Sequence, residues 1–179
     1  IPGTLSIVCE YINWNDNFKH KPGVYPIVEK EMCEKLSSDS VFFVRHFAED
    51  NDTEYLLNYP NAIVVLSSTY SNKTQLFRNI RMTFDALQIQ NPVILSSEYN
   101  CNDPELFQLW SASDLGASFI DGFGDGVWLK SSLNNQLINA TSFGILQATR
   151  VRISKTEYIS CPSCGRTLFD LQETTAKIR

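Results

Sequence analysis

Hydrophobic positions in this chain switch repeatedly between two spacings, one suited to strands and one to helices. Leu5–Tyr11 and Val41–Phe47 are rich in β-branched and aromatic residues and read as strands. Ala62–Ser67 (AIVVLS) and Val93–Ser97 (VILSS) are almost wholly apolar, as strands covered on both faces must be. Val127–Lys130 is a further strand. Between them, Asn72–Ile89 places Leu76, Phe77, Ile80, Phe84 and Leu87 at helical spacing. Asp103–Pro104 supplies a cap and first-turn pair for a helix carrying Leu106, Leu109, Trp110 and Ile120, which either breaks at Gly116 or runs on to Gly122. Leu133–Thr149 is another helix. Pro26–Leu36 opens with proline and is also expected to be helical, and Asp52–Tyr59 forms a shorter connection.

Repeated strand–helix units with double-faced strands imply an α/β fold with a parallel sheet and right-handed crossovers. Five strands fit part of a TIM-like βα barrel or an open doubly wound sheet, and both remain open at this level.

At 179 residues the chain is long enough for one domain and a remainder, and can bury a core without metal or disulfide staples. With 8 Gly, 7 Pro and 43% hydrophobic residues it is neither collagen-like nor disordered. The longest strand-sized apolar block, Ala62–Leu66, is far short of the ~20 residues of a membrane helix. The first residue is Ile, the first Met is Met32, and the chain stops inside a helical pattern, so it reads as an excised piece of a longer protein. Asn51, Asn72 and Asn139 head glycosylation-type triplets, expected by chance in an Asn-rich chain.

Net charge is −5, which argues against a general nucleic-acid binder. The average conceals an asymmetry. Residues 1–149 hold 9 Lys/Arg against 17 Asp/Glu, a charge of −8, whereas residues 150–179 hold 6 against 3, a charge of +3. The change of sign places a domain boundary near Arg150, or a surface facing something anionic.

Three stretches could carry chemistry. The glycines of Asp121-Gly-Phe-Gly-Asp-Gly126 could cradle a phosphate, but the run follows a helix and precedes a strand, the reverse of a dinucleotide fingerprint, and helix capping by Gly122 accounts for it. The pair Cys161 and Cys164 in Ile159-Ser-Cys-Pro-Ser-Cys-Gly-Arg166 could hold zinc, act as a thioredoxin-like dithiol, or form half of an iron–sulfur site. No second Cys-x-x-Cys exists. Cys9, Cys33 and Cys101 stand alone and are expected to be small apolar groups, while His20 and His46 lie far apart and read as solvated or satisfied core residues. Arg150, Arg152 and Lys155 precede the cysteines, either as a solvated helix end or as cations beside a phosphorylated substrate.

Thr141-Ser-Phe143, Leu146-Gln147, Arg150 to Lys155, and above all the run from Thr156 to Gln172 (TEYISCPSCGRTLFDLQ) together resemble 4-hydroxy-3-methylbut-2-enyl diphosphate synthase in its long three-domain form. Residues 121–126 resemble the segment preceding these in that family, and residues 1–100 its inserted middle domain in general character.

The resemblance implies an iron–sulfur oxidoreductase of the non-mevalonate isoprenoid pathway. Such an enzyme reductively opens and dehydroxylates methylerythritol cyclodiphosphate, a phosphorylated small molecule, drawing electrons from ferredoxin or flavodoxin. It also implies a 4Fe-4S cluster with Cys161 and Cys164 as two of its ligands, the others lying outside this chain. On that basis 1–149 is a βα insert acting as a spacer, 150–179 opens the iron–sulfur domain, and the chain alone is inactive. The implied location is the cytoplasm of a bacterium, or the plastid stroma. The alternative is a zinc-knuckle interaction module completed by a partner chain.

Overall fold

In the computed structural model, which describes residues 5–19, 21–157 and 170–178, six parallel strands lie side by side in the order in which the chain makes them. They are β1 (Ile7–Glu10), β2 (Val24–Val28), β3 (Phe42–Phe47), β4 (Ala62–Ser67), β5 (Val93–Tyr99) and β6 (Gly126–Ser131). The helices α1 (Tyr11–Asn17), α2 (Lys73–Leu87), α3 (Pro104–Ile120) and α4 (Asn135–Ala148) connect them or follow them, and α5 (Leu171–Ile178) comes last. Two 3-10 turns, Lys30–Lys35 and Glu54–Asn58, replace full helices before β3 and β4.

The sequential strand order selects between the two expected topologies. A doubly wound sheet reverses its order at a switch point, whereas here the sheet winds in one sense and curls into half a barrel. All the packed helices therefore fall on one face. On this outer face Val44, Val64, Leu66 and Leu95 meet Phe77, Ile80 and Phe84 of α2, Phe107, Leu115 and Phe119 of α3, and Ile145 and Leu146 of α4. The alternate residues point inward. Ile27, Phe43 and Val65, flanked by Val8, Tyr25, Ile63, Ile94 and Trp128, form a smaller cluster with no helix over it among the described residues. Strict alternation along each strand generates both layers from nearly continuous apolar runs.

Helix ends follow the sequence closely. The Asp103 side chain accepts hydrogen bonds from Glu105 N and Leu106 N, with Pro104 in the first turn. Asn134 caps α4 by accepting from Leu137 N. Helix α3 runs through Gly116 to Ile120, so the expected alternative of a break there is settled in favour of continuation. Only then does Gly122, at φ 76°, turn the chain.

One expected element is wrong. Pro26 does not open a helix: it lies in the middle of β2, opposite Cys9 of β1, and this strand brings the number from the expected five to six. Proline at a helix start is favoured because its missing N–H is not needed there. In Val24-Tyr-Pro-Ile-Val28 the β-branched and aromatic neighbours, with Val24, Ile27 and Val28 all buried, outweigh the lost donor. The ladder to β3 accommodates the proline by using only Ile27 and Val28.

Candidate functional site

Parallel βα sheets concentrate their chemistry at the carboxyl ends of the strands. Here that rim gathers polar side chains over the apolar floor of Ile27, Val65 and Trp128, lining a cavity of about 380 Å³. The Arg45 guanidinium from β3 reaches across two strands. It binds both oxygens of Glu10 at the end of β1, and donates from Nη1 to Glu29 Oε1 at 2.8 Å. Ser67, Ser96, Glu98 and Lys130 follow on β4, β5 and β6, with Lys130 5.8 Å over the ring of Trp128. Lys73, in the first turn of α2, pairs with Asp114 of α3 at 3.1 Å and lies 4.7 Å over the Tyr99 ring. Asp114 also accepts from the Tyr99 hydroxyl at 2.8 Å, and burial pushes the Tyr99 phenol upward. Both Arg45 and Lys73 thus have their charge matched by carboxylates.

The Asp121–Gly126 loop sits at the opposite end, between α3 and the start of β6. Its groups are occupied in holding the turn. Asp121 pairs with Arg78 at 2.6 Å, an interaction that holds its carboxyl below the usual range. Asp125 binds Val93 through both its N–H and its carboxylate. A Cβ built on Gly124 would come within 2.8 Å of Phe119 and 3.1 Å of Leu95, so glycine is required by close packing against the sheet. The capping reading holds for this loop.

His46 is a satisfied core residue, 2% exposed. Nε2 lies 3.1 Å from Asp50 O, and Nδ1 lies 3.4 Å from the Tyr55 hydroxyl. A carbonyl can only accept, so Nε2 carries the proton and Nδ1 accepts from tyrosine. Burial lowers the His46 pKa despite the attraction of Asp50. Cys33 is buried in the main core, where desolvation pushes its thiol up to about 11. Burial likewise raises Cys9, with help from Glu10. Both are therefore poor thiolates, as expected of apolar cysteines. Among the described residues, no group of three or more His, Cys, Asp or Glu is placed to hold a metal. Cys161, Cys164 and His20 lie outside the described residues.

The chain leading toward the cysteines is described as far as Glu157. Gly does not end α4. Instead Arg150 adopts φ 64°, and the chain folds back on the helix it has just left. Arg150 pairs with Glu157 at 2.7 Å, the Arg152 guanidinium lies 5.3 Å over the Phe143 ring, and Arg152 N donates to Leu146 O. The Gln147 carboxamide binds Ser154, Lys155 and Glu157. Of the three expected cations, Arg150 and Arg152 are thus engaged in shaping the junction. The sequence reading missed both the Arg45–Glu10–Glu29 triad and the role of Gln147, because each depends on residues brought together only by folding back or by strand neighbourhood.

These features define a class first: a singly wound α/β half-barrel in which a Cys-Pro-x-Cys-Gly run follows α4 in the sequence. No family model matches the chain, and no solved structure matches it. Curated relatives do. A protein of Bacteroides fragilis named 4-hydroxy-3-methylbut-2-en-1-yl diphosphate synthase (flavodoxin) is 37% identical over 177 residues, covering 95% of this chain and 28% of that protein. A Parabacteroides distasonis protein of the same name is 39% identical over 190 residues, covering 100% of this chain and 30% of its own length. A Leptospira interrogans protein of that name reaches 47% over 90 residues. The chain is thus homologous to one segment of proteins named 4-hydroxy-3-methylbut-2-en-1-yl diphosphate synthase (flavodoxin). It spans less than a third of the length of the curated relatives it matches.

Proposed function

We propose that this chain is part of a flavodoxin-dependent iron–sulfur oxidoreductase that reductively opens and dehydroxylates methylerythritol cyclodiphosphate. The observation that carries this is the similarity to proteins named as that synthase along essentially the whole chain, cysteine run included. The name those relatives carry supports flavodoxin as electron donor, with ferredoxin as the alternative, and a phosphorylated substrate. The relatives lend no support to a zinc knuckle.

Within this reading, Cys161 and Cys164 hold two irons of a 4Fe-4S cluster. The donor chemistry fits, since two thiols spaced by two residues converge on one cluster, while the buried, high-pKa Cys33 offers no competing ligand. When bound, such a cluster supplies electrons one at a time for the removal of a hydroxyl. The residues of this chain do the holding. Residues 1–149 serve as a spacer whose core is self-sufficient, and 150–179 open the cluster domain. The charge pairing of Arg45 and Lys73 fits a scaffold whose rim is internally neutralised. No helix among the described residues is long and apolar enough to cross a membrane.

The test is to purify the longer protein anaerobically and measure iron, acid-labile sulfide, visible absorption and turnover of the cyclic diphosphate with reduced flavodoxin. Four irons per chain and loss of both cluster and turnover in Cys161→Ser and Cys164→Ser are expected. Stoichiometric zinc in a colourless protein would refute the reading.

A further inference from the structure

Residues 150–157 are all exposed, so burial of apolar surface does not hold them in place. Polar contacts do, and most of them converge on one carboxamide. Gln147 lies in the last turn of α4. Its Oε1 accepts from Ser154 N at 3.2 Å, Ser154 Oγ at 3.1 Å and Lys155 N at 2.9 Å. Its Nε2 donates to Lys155 O at 3.1 Å and to Glu157 Oε1 at 3.3 Å. Towards Lys155 the side chain therefore pairs as a strand neighbour would, accepting one bond from the N–H and donating one to the carbonyl. The fold-back that brings these groups together requires Arg150 at φ 64°, a conformation non-glycine residues adopt at a cost. The Arg150–Glu157 ion pair, a surface interaction of small individual worth, adds to it, as do the Arg152 N–H bond to Leu146 O and the Arg152 guanidinium over the Phe143 ring.

We infer that Gln147 is a positioning residue. It fastens residues 154–157 to the end of α4, so the run bearing Cys161 and Cys164 leaves the half-barrel from a fixed point instead of as a free linker. The inference rests on the proposed cluster role of those cysteines. An electron-transfer group that must meet a substrate held elsewhere in a longer protein gains from such fixation, because misplacement by about 1 Å can cost on the order of a hundredfold in rate.

Hydrogen exchange in this chain and spectroscopy of the longer protein test it together. The Ser154 and Lys155 amides are expected to be protected. In Gln147→Ala they should exchange at least about tenfold faster, with the amides of β4 and β5 unchanged. Gln147→Glu retains an acceptor for both amides and should restore part of the protection. In the anaerobically purified longer protein, Gln147→Ala should keep its iron and sulfide but alter the electron paramagnetic resonance spectrum of the reduced cluster. It should also lower kcat more than it raises KM, with partial recovery in Gln147→Glu. Unprotected Ser154 and Lys155 amides in the unaltered chain would overturn the fastening. Faster exchange with an unaltered spectrum and turnover would overturn the positioning role. If exchange behaves as expected but the unaltered longer protein takes up no iron and sulfide, the iron–sulfur reading has failed, and the positioning role with it.

Discussion

Asp125 engages both backbone polar groups of Val93: Asp125 N donates to Val93 O at 2.7 Å, and Val93 N donates to Asp125 Oδ2 at 2.8 Å. The pair locks the start of β6 to the start of β5 at the end of the sheet remote from the cavity. Asp125→Ala leaves the Val93 amide unsatisfied beside a buried strand, and should cost about 1–3 kcal/mol of stability. Urea unfolding followed by circular dichroism measures it. Asp125→Asn, which keeps an acceptor, should cost less.

The Lys73–Asp114–Tyr99 cluster joins α2, α3 and β5, with the Lys73 and Asp114 side chains only 12% and 24% exposed. Asp114→Ala strands a half-buried ammonium and a phenol, for an expected loss of about 2–4 kcal/mol. Adding Lys73→Met to the same protein should recover a large part of that loss. A double-mutant cycle from thermal melts gives the coupling, and a double-variant loss equal to the sum of the two single-variant losses would show that the pair is not coupled.

His46 is neutral in its pocket and its pKa is lowered by burial. Above the unfolded value of about 6.5 neither state is protonated at this site, and the contribution to stability is fully present. As pH falls below that value the unfolded chain takes up a proton first, so stability declines until the folded pKa is reached. His46→Asn should remove this slope between about pH 6.5 and the folded pKa. Glu49 acts in a lower window. Its burial opposes ionisation, yet hydrogen bonds from Thr69 and Ser68 outweigh that and lower its pKa. Its contribution is present above the unfolded value and lost as pH falls through the folded one. Denaturant melts across the pH range separate the two in His46→Asn and Glu49→Gln.

The two faces of β4 predict an ordering of core substitutions. Leu66 is fully buried against the helices, whereas Val65, 5% exposed, belongs to the smaller inner cluster. Leu66→Ala should cost about 3–5 kcal/mol and Val65→Ala about 1–2 kcal/mol. Cys161→Ser and Cys164→Ser should leave the melting temperature of this chain nearly unchanged if residues 1–149 are a self-sufficient spacer. A site in which metal binding supplies folding energy predicts the reverse order.

Gln88 closes α2 at φ 56°, with its N–H bonded to Asp85 O and the next N–H to Phe84 O. That geometry is the one glycine adopts without strain. Gln88→Gly should raise stability by about 0.5–1 kcal/mol, visible as a higher melting temperature.

The sequence by itself determined the α/β class, the bounds of β4, the Asp103–Pro104 start of α3 and the capping role of the 121–126 loop. Each of these depends on short-range chemistry: apolar periodicity, a side chain reaching its own next turn, a glycine at a positive φ. It also carried the family resemblance, because the run from Thr156 to Gln172 is local. What required tertiary structure was every decision between alternatives with the same local pattern. A fully apolar strand looks alike in a half-barrel and in a doubly wound sheet, and only the neighbour order decides. Pro26 has one local preference and another in a strand whose flanking residues gain more by burial than one N–H is worth. Arg45 meets Glu10 and Glu29 across 35 and 16 residues because adjacent parallel strands align them. Gln147 finds Lys155 only because the chain turns back through a strained residue. In each case the deciding free energy lies between elements distant in sequence, where no local signal records it.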